Sequence, residues 1–447
     1  MIRPYQDLKK TICERRFHHR SQIVFLLILY SISAFIYSWL IPPWEAPDEP
    51  AHYVLVANLA RIGKFSSLEA NYEAHQPQPF YRFASVPLIW LHARDRSWIE
   101  TYRPDPNYDN IRTETPVFPW TADNYRFLPG LYTLRWLNVL IGAAAVWVNH
   151  AALRRLLPDR PRTALTATVF LAFIPQFLHI SSAVSNEPLG ILAGAVLFRI
   201  LVEVATRPLG IAGYLLAGLA AVALPFGSKL SAVPMGVAVL LAAALRARVT
   251  LRIPWWVIGA GAAGMIGLVV LAGVAAPETG TVWLRIFSER VFDVFEGALE
   301  GETIRMMLAQ LAWTFWGQVG WIGAGLPGWM VAVLTGLAAV GFGTAAWHAL
   351  QERGSAPPDW NWVLAAAALT LAIVVRNGFF TIANQGRLLF PALGAIAFAV
   401  VTGWERILPE RVRGRLPWVV GGLWLVVNLW LIFDKIIPVY FQPVLDQ

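Results

Sequence analysis

Two adjacent carboxylates and an imidazole follow the first long apolar run of the chain. The stretch IPPWEAPDEPAHY begins at Ile41 and contains Asp48, Glu49 and His52. Carboxylates and imidazoles are the usual proton-transfer groups of enzymes, and residues spaced like Asp48 and His52 meet on one helix face. Asp-Glu before a helix is equally an ordinary helix-start signal, because negative charge stabilises a helix N-terminus. The choice between catalysis and capping depends on where this stretch lies.

The composition places these residues beside a membrane. Hydrophobic residues make up 57% of the 447 residues, and only 14% are charged. One soluble core of this length cannot bury so much apolar surface. An all-α polytopic membrane protein with about 11 transmembrane helices is therefore predicted from runs of roughly 20 apolar residues. These runs lie near residues 22–41, 127–149, 163–183, 187–206, 209–226, 231–246, 254–276, 326–348, 361–381, 387–403 and 417–435.

Basic residues concentrate in alternate loops and so orient the helices. They lie mainly in 3–20, 154–162, 246–252 and 406–415, whereas the opposite short loops contain only Lys229 and Arg387 apart from segment 285–305. The positive-inside rule then predicts a cytoplasmic segment 1–21, followed by one transmembrane domain, 22–447, in the cell membrane. The loop 42–126 is external. No nucleic-acid partner is expected, because the basic residues are spread between spans and form no single patch.

The external first loop is long and rich in aromatic residues, which favours an ordered and functional segment. Apolar residues at helical spacing predict one helix over 50–64 and a second over 79–92. Their Tyr and Trp residues suit the headgroup region, so both helices are predicted to lie at the membrane interface in contact with lipid. The Trp-rich stretch 311–322 has two interpretations, a span or a re-entrant or interfacial helix.

Several short motifs resemble one family in the same order along the chain. PPWEAPDEPAHY and EAHQPQPFYRFASVPL resemble the first loop of membrane glycosyltransferases of the GT-C fold, in the bacterial branch near the protein mannosyltransferases and the lipid A aminoarabinose transferase. SSAVSNEPLGILAGAVLF, PFGSKLSAVP, WTFWGQVGW and NQGRLLFPAL match further segments of that group. The resemblance covers most of the chain and implies a GT-C-like bundle. The chain departs from the group's Asn-Asp at Asn186-Glu187, and from Pro-Pro-Leu-Tyr-Tyr at residues 77–81.

The resemblance implies an enzyme that moves a sugar, with inversion, from a polyprenyl-phosphate carrier to an acceptor outside the cell. The acceptor is a glycan, a lipid or a protein, and the residues do not distinguish these. The family's acidic residue in the first loop corresponds to Asp48, which would be the general base. Glu49 would be its neighbour or substitute, and His52 is a rival base. Repulsion between adjacent carboxylates predicts a raised pKa for one of them.

The chemistry also needs cations for the phosphate leaving group and polar groups for the sugar. Arg387 and Lys229 match family positions at external span ends and suit phosphate binding, although membrane anchoring by snorkelling is the alternative for both. Glu187 precedes Pro188 and fits a helix start as well as a sugar contact. The further candidates are Arg82 and Arg126 for the phosphate, and His75, Gln76, Asn186 and Glu187 for the sugar or the acceptor.

Metal binding and two other functions are the alternatives to this interpretation. The carboxylates would suit Mg²⁺ or Mn²⁺. Because Arg and Lys can neutralise a monophosphate donor, no obligatory metal or other cofactor is expected. A transporter or flippase for lipid-linked sugars would carry ionisable groups at mid-membrane and inverted repeats, and the sequence suggests neither. A non-catalytic scaffold subunit would keep the same fold.

Overall fold

The chain is an all-α polytopic membrane protein, as predicted. The computed structural model describes residues 3–67, 70–92, 128–261, 301–320, 324–351, 358–378 and 385–445, with three further positions between 263 and 267. Within these ranges, eight helices are long and apolar enough to cross a membrane, and a bent pair would make a ninth span. Strand structure in the same ranges is limited to one pair of two-residue strands.

The first half of the chain contains the long helix α1, the helices of the first loop and then a set of closely packed helices. The elements are α1 (Arg3–Leu40), α2 (Glu49–Ile62), a 3₁₀ helix (Tyr72–His75), α3 (Pro79–His92), α4 (Leu128–Leu156), α5 (Pro161–Ala172), α6 (Pro175–Ser181), α7 (Glu187–Thr206), α8 (Ile211–Gly227) and α9 (Val233–Thr250). The helix predicted over 79–92 is observed with those bounds, and that over 50–64 begins and ends one or two residues earlier.

The second half contains the β-hairpin and the remaining spans. The elements are α10 (Gly301–Trp316), β1 (Gln318–Val319), β2 (Ala324–Gly325), α11 (Gly328–Gln351), α12 (Pro358–Gly378), a 3₁₀ helix (Gly386–Ala392), α13 (Leu393–Ile407), α14 (Glu410–Arg413), α15 (Leu416–Leu431), a π-helical turn (Ile432–Ile436) and α16 (Ile437–Leu445). The Trp-rich stretch 311–322 is therefore the end of α10 followed by the hairpin, and the hairpin turn at 321–323 lies outside the described residues.

Two predicted spans differ in detail from the helices observed. The span predicted over 163–183 is two helices, α5 and α6, bent by 64°. Pro175 explains the bend, because proline lacks an N–H and its ring collides with the preceding turn of a helix. The helix α8 has 17 residues, or about 25 Å, which is short for a bilayer core of about 30 Å. Most of the span predicted over 254–276 lies outside the described residues.

Helix α7 brings two distant segments of the chain together. A side chain at Gly194 would overlap the backbone of Pro391, in the 3₁₀ helix before α13. A Cβ at Gly190, one turn earlier, would lie 2.8 Å from Cβ of Lys229, in the loop between α8 and α9. Glycines spaced four residues apart allow such close approach between membrane helices. The packing therefore draws the segments that carry Lys229 and Arg387 onto one helix.

Candidate functional site

Four charged side chains meet at one end of the bundle. Asp48 comes from the loop after α1, Glu187 from the first turn of α7, Lys229 from the loop before α9, and Arg387 from the 3₁₀ helix before α13. The Nζ of Lys229 lies 2.7 Å from Oε1 of Glu187, and Nε of Arg387 lies 3.4 Å from the same oxygen. Arg387 also contacts Asp48, with 3.4 Å between Nη2 and Oδ2. Arg387 thus lies between two carboxylates that are 139 positions apart in the chain.

Arg387 is mostly buried, and its ion-pair contacts with other described residues are long. Its side chain is 13% exposed, and both of its carboxylate contacts measure 3.4 Å. Charge-assisted N–H···O bonds are normally about 2.7–2.9 Å long. Among the residues that the structure describes, none accepts a hydrogen bond from its Nε. A guanidinium that is buried without short acceptors is costly. This arrangement is typical of a site that receives an anion.

Asp48 occupies the N-cap position of α2, but its side chain does not cap the helix. Its carboxylate makes no hydrogen bond to the first-turn amides, and its backbone is left-handed, with φ of 62°. Positive φ is uncommon outside glycine, although Asp tolerates it better than most residues. The Oδ1 atom instead accepts a hydrogen bond of 2.9 Å from the Tyr72 hydroxyl. Asp48 therefore lies at the N-cap position, but helix capping does not account for the contacts of its carboxylate.

The charge environment lowers the pKa of Asp48. Burial raises this pKa, but the positive charge of Arg387, with smaller effects from His52, the Tyr72 hydroxyl and Lys229, lowers it by more. The predicted repulsion from Glu49 does not raise the pKa of Asp48. For Asp48 the predicted rise is therefore wrong, and the carboxylate of its neighbour Glu49 is paired with an arginine of its own, Arg135.

Glu49 points away from the cluster into a buried ion pair with Arg135 of α4. Nε of Arg135 donates to Oε1 at 2.8 Å, and Nη2 donates to Oε2 at 2.5 Å. The backbone N–H groups of Trp44 and Val184 donate to the same carboxylate at 3.0 and 2.9 Å. Glu49 and Arg135 are both fully buried. The carboxylate of Glu49 is therefore saturated and lies outside the cluster.

The other donors of Arg135 hold the turn between α1 and α2. Nη1 donates to the carbonyls of Ser38 and Ile41, both at 2.7 Å, and Nη2 donates to Pro42 at 3.0 Å. The turn needs this support because Trp44, like Asp48, has a positive φ, here 72°. Such a backbone conformation is a genuine outlier for a bulky residue. Arg135 and Glu49 thus fix the strained segment that presents Asp48.

His52 lies against the cluster but is held by other groups. Its Nδ1 is 2.7 Å from the Tyr81 hydroxyl, and its Nε2 is 3.8 Å from Oε2 of Glu73. Burial lowers the pKa of His52 more than the neighbouring carboxylates raise it, so the imidazole is neutral at physiological pH. Its contacts are those of a packed and oriented histidine.

A chain of amide and imidazole groups joins the first loop to Lys229. Nζ of Lys229 donates to Oδ1 of Asn186 at 3.2 Å, and Nδ2 of Asn186 donates to Oε1 of Gln76 at 3.1 Å. Gln76 Nε2 lies 3.1 Å from Nε2 of His75. The 3₁₀ helix Tyr72–His75 and the following Gln76 therefore contact the cluster at two places, at Asp48 through Tyr72 and at Lys229 through Asn186.

One predicted phosphate ligand, Arg82, is not part of this arrangement. Arg82 is exposed on α3, where its Nη2 donates to Gln78 Oε1 at 2.9 Å. Arg126 lies outside the described residues. Of the predicted site residues, the structure brings together Asp48, His52, His75, Gln76, Asn186, Glu187, Lys229 and Arg387.

Sequence reasoning missed Arg135 and Tyr72. Arg135 had a usable signal, because it interrupts the apolar run LYTLRWLNVLIG within a predicted span, and charges inside spans are rarely incidental. Tyr72 had none, since its contact with Asp48 depends on how the loop folds back. Across the described part of the chain, His, Cys, Asp and Glu side chains form no group of three that could hold a metal ion.

Comparisons with known proteins give a distant structural likeness. No protein-family model matches the chain, and none of the curated proteins matches it. Among solved structures, an oligosaccharyltransferase from Archaeoglobus fulgidus, crystallised with Zn and sulfate, is similar with a TM-score of 0.46 and 12% identity. The match covers 91% of this chain and 52% of that one, so the chain spans about half the length of the protein it matches. The proposal below rests on the site itself.

Proposed function

We propose that the protein is an inverting glycosyltransferase that takes a sugar from a polyprenyl-phosphate carrier and passes it to a hydroxyl acceptor. The observation that carries the proposal is the under-satisfied Arg387, held between Asp48 and Glu187 beside Lys229. One carboxylate and two cations at the same end of a membrane bundle meet the needs of this reaction. The motif resemblance supports the same assignment.

Asp48 is the general base in this proposal. The acceptor oxygen attacks the anomeric carbon, and the bond between that carbon and the phosphate oxygen breaks. Asp48 takes the acceptor proton, and the leaving phosphate keeps the electron pair of the broken bond. Such general-base assistance contributes about 10²–10⁴ in rate. Glu49 is assigned a structural role, because its oxygens are already occupied by Arg135 and two backbone amides.

Arg387 and Lys229 bind the phosphate of the donor. Both lie at Glu187, a mostly buried carboxylate, while their own side chains are each 13% exposed. Arg presents a planar fork that matches phosphate oxygens, and Lys adds a compact charge. His75, Gln76 and Asn186 form the polar chain next to Lys229 and are proposed to contact the sugar.

The charges of the cluster balance throughout this reaction. Asp48, Glu187, Lys229 and Arg387 sum to zero when all four are ionised, and a phosphodiester donor adds one negative charge. After transfer, the phosphate monoester gains a second negative charge, while Asp48 has become neutral by taking the proton. The total is unchanged, which matters because a net charge is costly to create in a partly buried site.

The reaction is proposed to take place on the outer face of the cell membrane. Asp48, Glu187, Lys229 and Arg387 all follow or precede spans at the end where α1 finishes. The arginine-rich loops, such as 154–162 and 406–415, lie at the opposite ends of the spans. The positive-inside rule then gives a cytoplasmic N-terminus.

The proposal is tested with purified protein and radiolabelled polyprenyl-phosphate sugars. We expect wild type to release polyprenyl phosphate, and we expect Arg387→Met to lose donor binding. Arg82→Met, which removes an exposed arginine outside the cluster, should bind the donor as wild type does. Donor binding without any release of polyprenyl phosphate across the panel would contradict the transferase and favour a transporter of lipid-linked sugars.

A further inference from the structure

The two carboxylate oxygens of Asp48 have different partners. Oδ1 accepts a hydrogen bond of 2.9 Å from the Tyr72 hydroxyl, a normal length. Among the described residues, the contact of Oδ2 is that of 3.4 Å with Arg387. A base needs one oxygen free for the acceptor proton and benefits from a fixed orientation of the other. Oδ1 is therefore suited to fixing the orientation of the carboxylate, and Oδ2 is suited to taking the proton.

We propose that Tyr72 is the positioning residue of the base, holding Oδ1 of Asp48 so that Oδ2 alone takes the acceptor proton. The inference rests on the proposed function. When the donor phosphate binds, it competes with Asp48 for Arg387, because phosphate offers the guanidinium shorter and bidentate contacts. Oδ2 then loses its partner while Oδ1 keeps Tyr72. The base is therefore released by the donor and kept in place by the tyrosine.

The position of Tyr72 is set by the residues around it. Asn71 caps the 3₁₀ helix by accepting from the Glu73 amide at 2.9 Å, and its Nδ2 donates to the Ala51 carbonyl of α2, also at 2.9 Å. This tie holds the start of the 3₁₀ helix against the helix that begins beside Asp48. At the other end, Gln76 reaches Asn186 and through it Lys229. One short segment thus contacts the base directly and a proposed phosphate ligand through Asn186.

Tyr72 approaches Asp48 from the solvent side, which makes it accessible to a clean substitution. Its side chain is 48% exposed, so loss of the hydroxyl opens no cavity in the core. Several titratable groups influence the same carboxyl or its neighbours from other elements, and Tyr72→Phe leaves each of them in place. They are Arg387 before α13, Lys229 before α9, Glu187 on α7, His52 on α2, and Glu73 and Tyr81 beside His52.

The first test compares Tyr72→Phe with wild type in turnover. We expect kcat to fall about tenfold, the order of magnitude of a hydrogen bond to a charged group, with KM for the donor unchanged. The acid limb of the kcat profile should move to higher pH, because a lost donor to the carboxylate raises its pKa. The control is Tyr81→Phe, which removes a hydroxyl that contacts His52 and should leave the acid limb in place.

The second test needs no turnover and so separates this inference from the proposed function. Methyl farnesyl phosphate is a phosphodiester that keeps one charge over the acidic range in which Asp48 titrates. Protonation of Asp48 frees Arg387, so binding should tighten as the pH falls, and Asp48→Asn should remove this dependence. Tyr72→Phe should move the transition to higher pH. Only pH values at which the protein keeps its native fluorescence are used.

The outcomes judge the two proposals independently. A shifted binding transition in Tyr72→Phe supports the role of Tyr72 even if wild type transfers no sugar, in which case only the proposed function fails. An unshifted transition, or a wild-type affinity that does not depend on pH, overturns the role of Tyr72. An unchanged acid limb together with a lower kcat would also overturn it, because the hydroxyl would then act without holding the carboxylate.

Discussion

Two arginine–carboxylate pairs start from neighbouring residues of the chain and differ in almost every physical property. Glu49 and Arg135 are fully buried, and two hydrogen bonds of 2.8 and 2.5 Å join them. Asp48 and Arg387 are partly exposed, with a single contact of 3.4 Å. Every oxygen of the first pair has donors, whereas the Nε of the second arginine has no hydrogen-bond acceptor among the described residues.

These differences make Glu49–Arg135 a structural ion pair, whereas Asp48–Arg387 is a pair that can exchange partners. A buried pair is tolerated when other hydrogen bonds satisfy both ions, and backbone groups satisfy Glu49 and Arg135 in this way. Such a pair cannot release its carboxylate at low cost. The long contact of Arg387 leaves its guanidinium able to move to a better anion.

Arg135→Met should cause the largest loss of stability. The substitution leaves Glu49 buried without its partner, which costs about 3–5 kcal/mol in the free energy of unfolding. Thermal unfolding in detergent measures the loss. The matched variant is Arg387→Met, which removes only long contacts and should unfold close to the wild-type temperature. Equal losses in the two variants would contradict the division into a structural and an exchangeable pair.

Arg387→Lys should weaken donor binding while the fold stays intact. Lysine keeps the charge but loses the planar fork, and one or two charge-assisted hydrogen bonds correspond to about 10–100-fold in affinity. Binding of a short polyprenyl phosphate gives the dissociation constant. The control is Arg82→Lys, which should bind the ligand with the wild-type affinity. Undiminished binding by Arg387→Lys would show that the guanidinium shape has no role.

Alanine at the two glycines of α7 should separate stability from affinity. At Gly194 the new methyl group meets the backbone of Pro391, and overpacking of this kind costs about 1–3 kcal/mol. At Gly190 it meets Cβ of Lys229, so the loop that carries this lysine must shift. We expect Gly190→Ala to lose less stability than Gly194→Ala but to bind donor about fivefold more weakly, or roughly 1 kcal/mol. A larger loss of stability in Gly190→Ala than in Gly194→Ala would contradict this packing.

The smallest effect concerns the pH dependence from His52. Because burial lowers the pKa of the folded-state imidazole, the unfolded chain binds more protons below its ordinary pKa of 6.5. Stability should therefore fall as the pH drops through 6.5, and His52→Gln should lessen that fall. Unfolding temperatures at about pH 7.5 and about pH 5.5 give the comparison. A turnover profile whose acid limb disappears in His52→Gln would instead make His52 the base.

The apolar periodicity of the sequence was enough to predict the class of fold and most of its spans. Apolar runs identify spans because the bilayer requires about 20 residues of helix, and α3 was located to the residue because its apolar positions recur at helical spacing. The short length of α8 and the bend at Pro175 depend on neighbouring helices, which a single run does not encode. The packing of α7 on Lys229 and Pro391 is also a tertiary property.

The site was predictable in part for the same reason. Lys229 and Arg387 were candidates because they match family positions at span ends predicted to be external, and the structure places both at Glu187. The different partners of Asp48 and Glu49 were not predictable, because these two neighbouring residues share the same local sequence pattern. What separates them is the left-handed backbone at Asp48 and an arginine 86 residues further along the chain.

In the proposed sugar transfer, Asp48 and not Glu49 is the base. The most direct measurement is the release of polyprenyl phosphate from a labelled donor by wild type, Asp48→Asn and Glu49→Gln, with donor binding and unfolding temperature measured in parallel. We predict that Asp48→Asn binds donor and stays folded but turns over about 10²–10⁴-fold more slowly. Glu49→Gln should have a lower unfolding temperature than wild type. Its turnover per folded molecule should be nearer to the wild-type value than that of Asp48→Asn. Full turnover by Asp48→Asn would show that Asp48 is not the base.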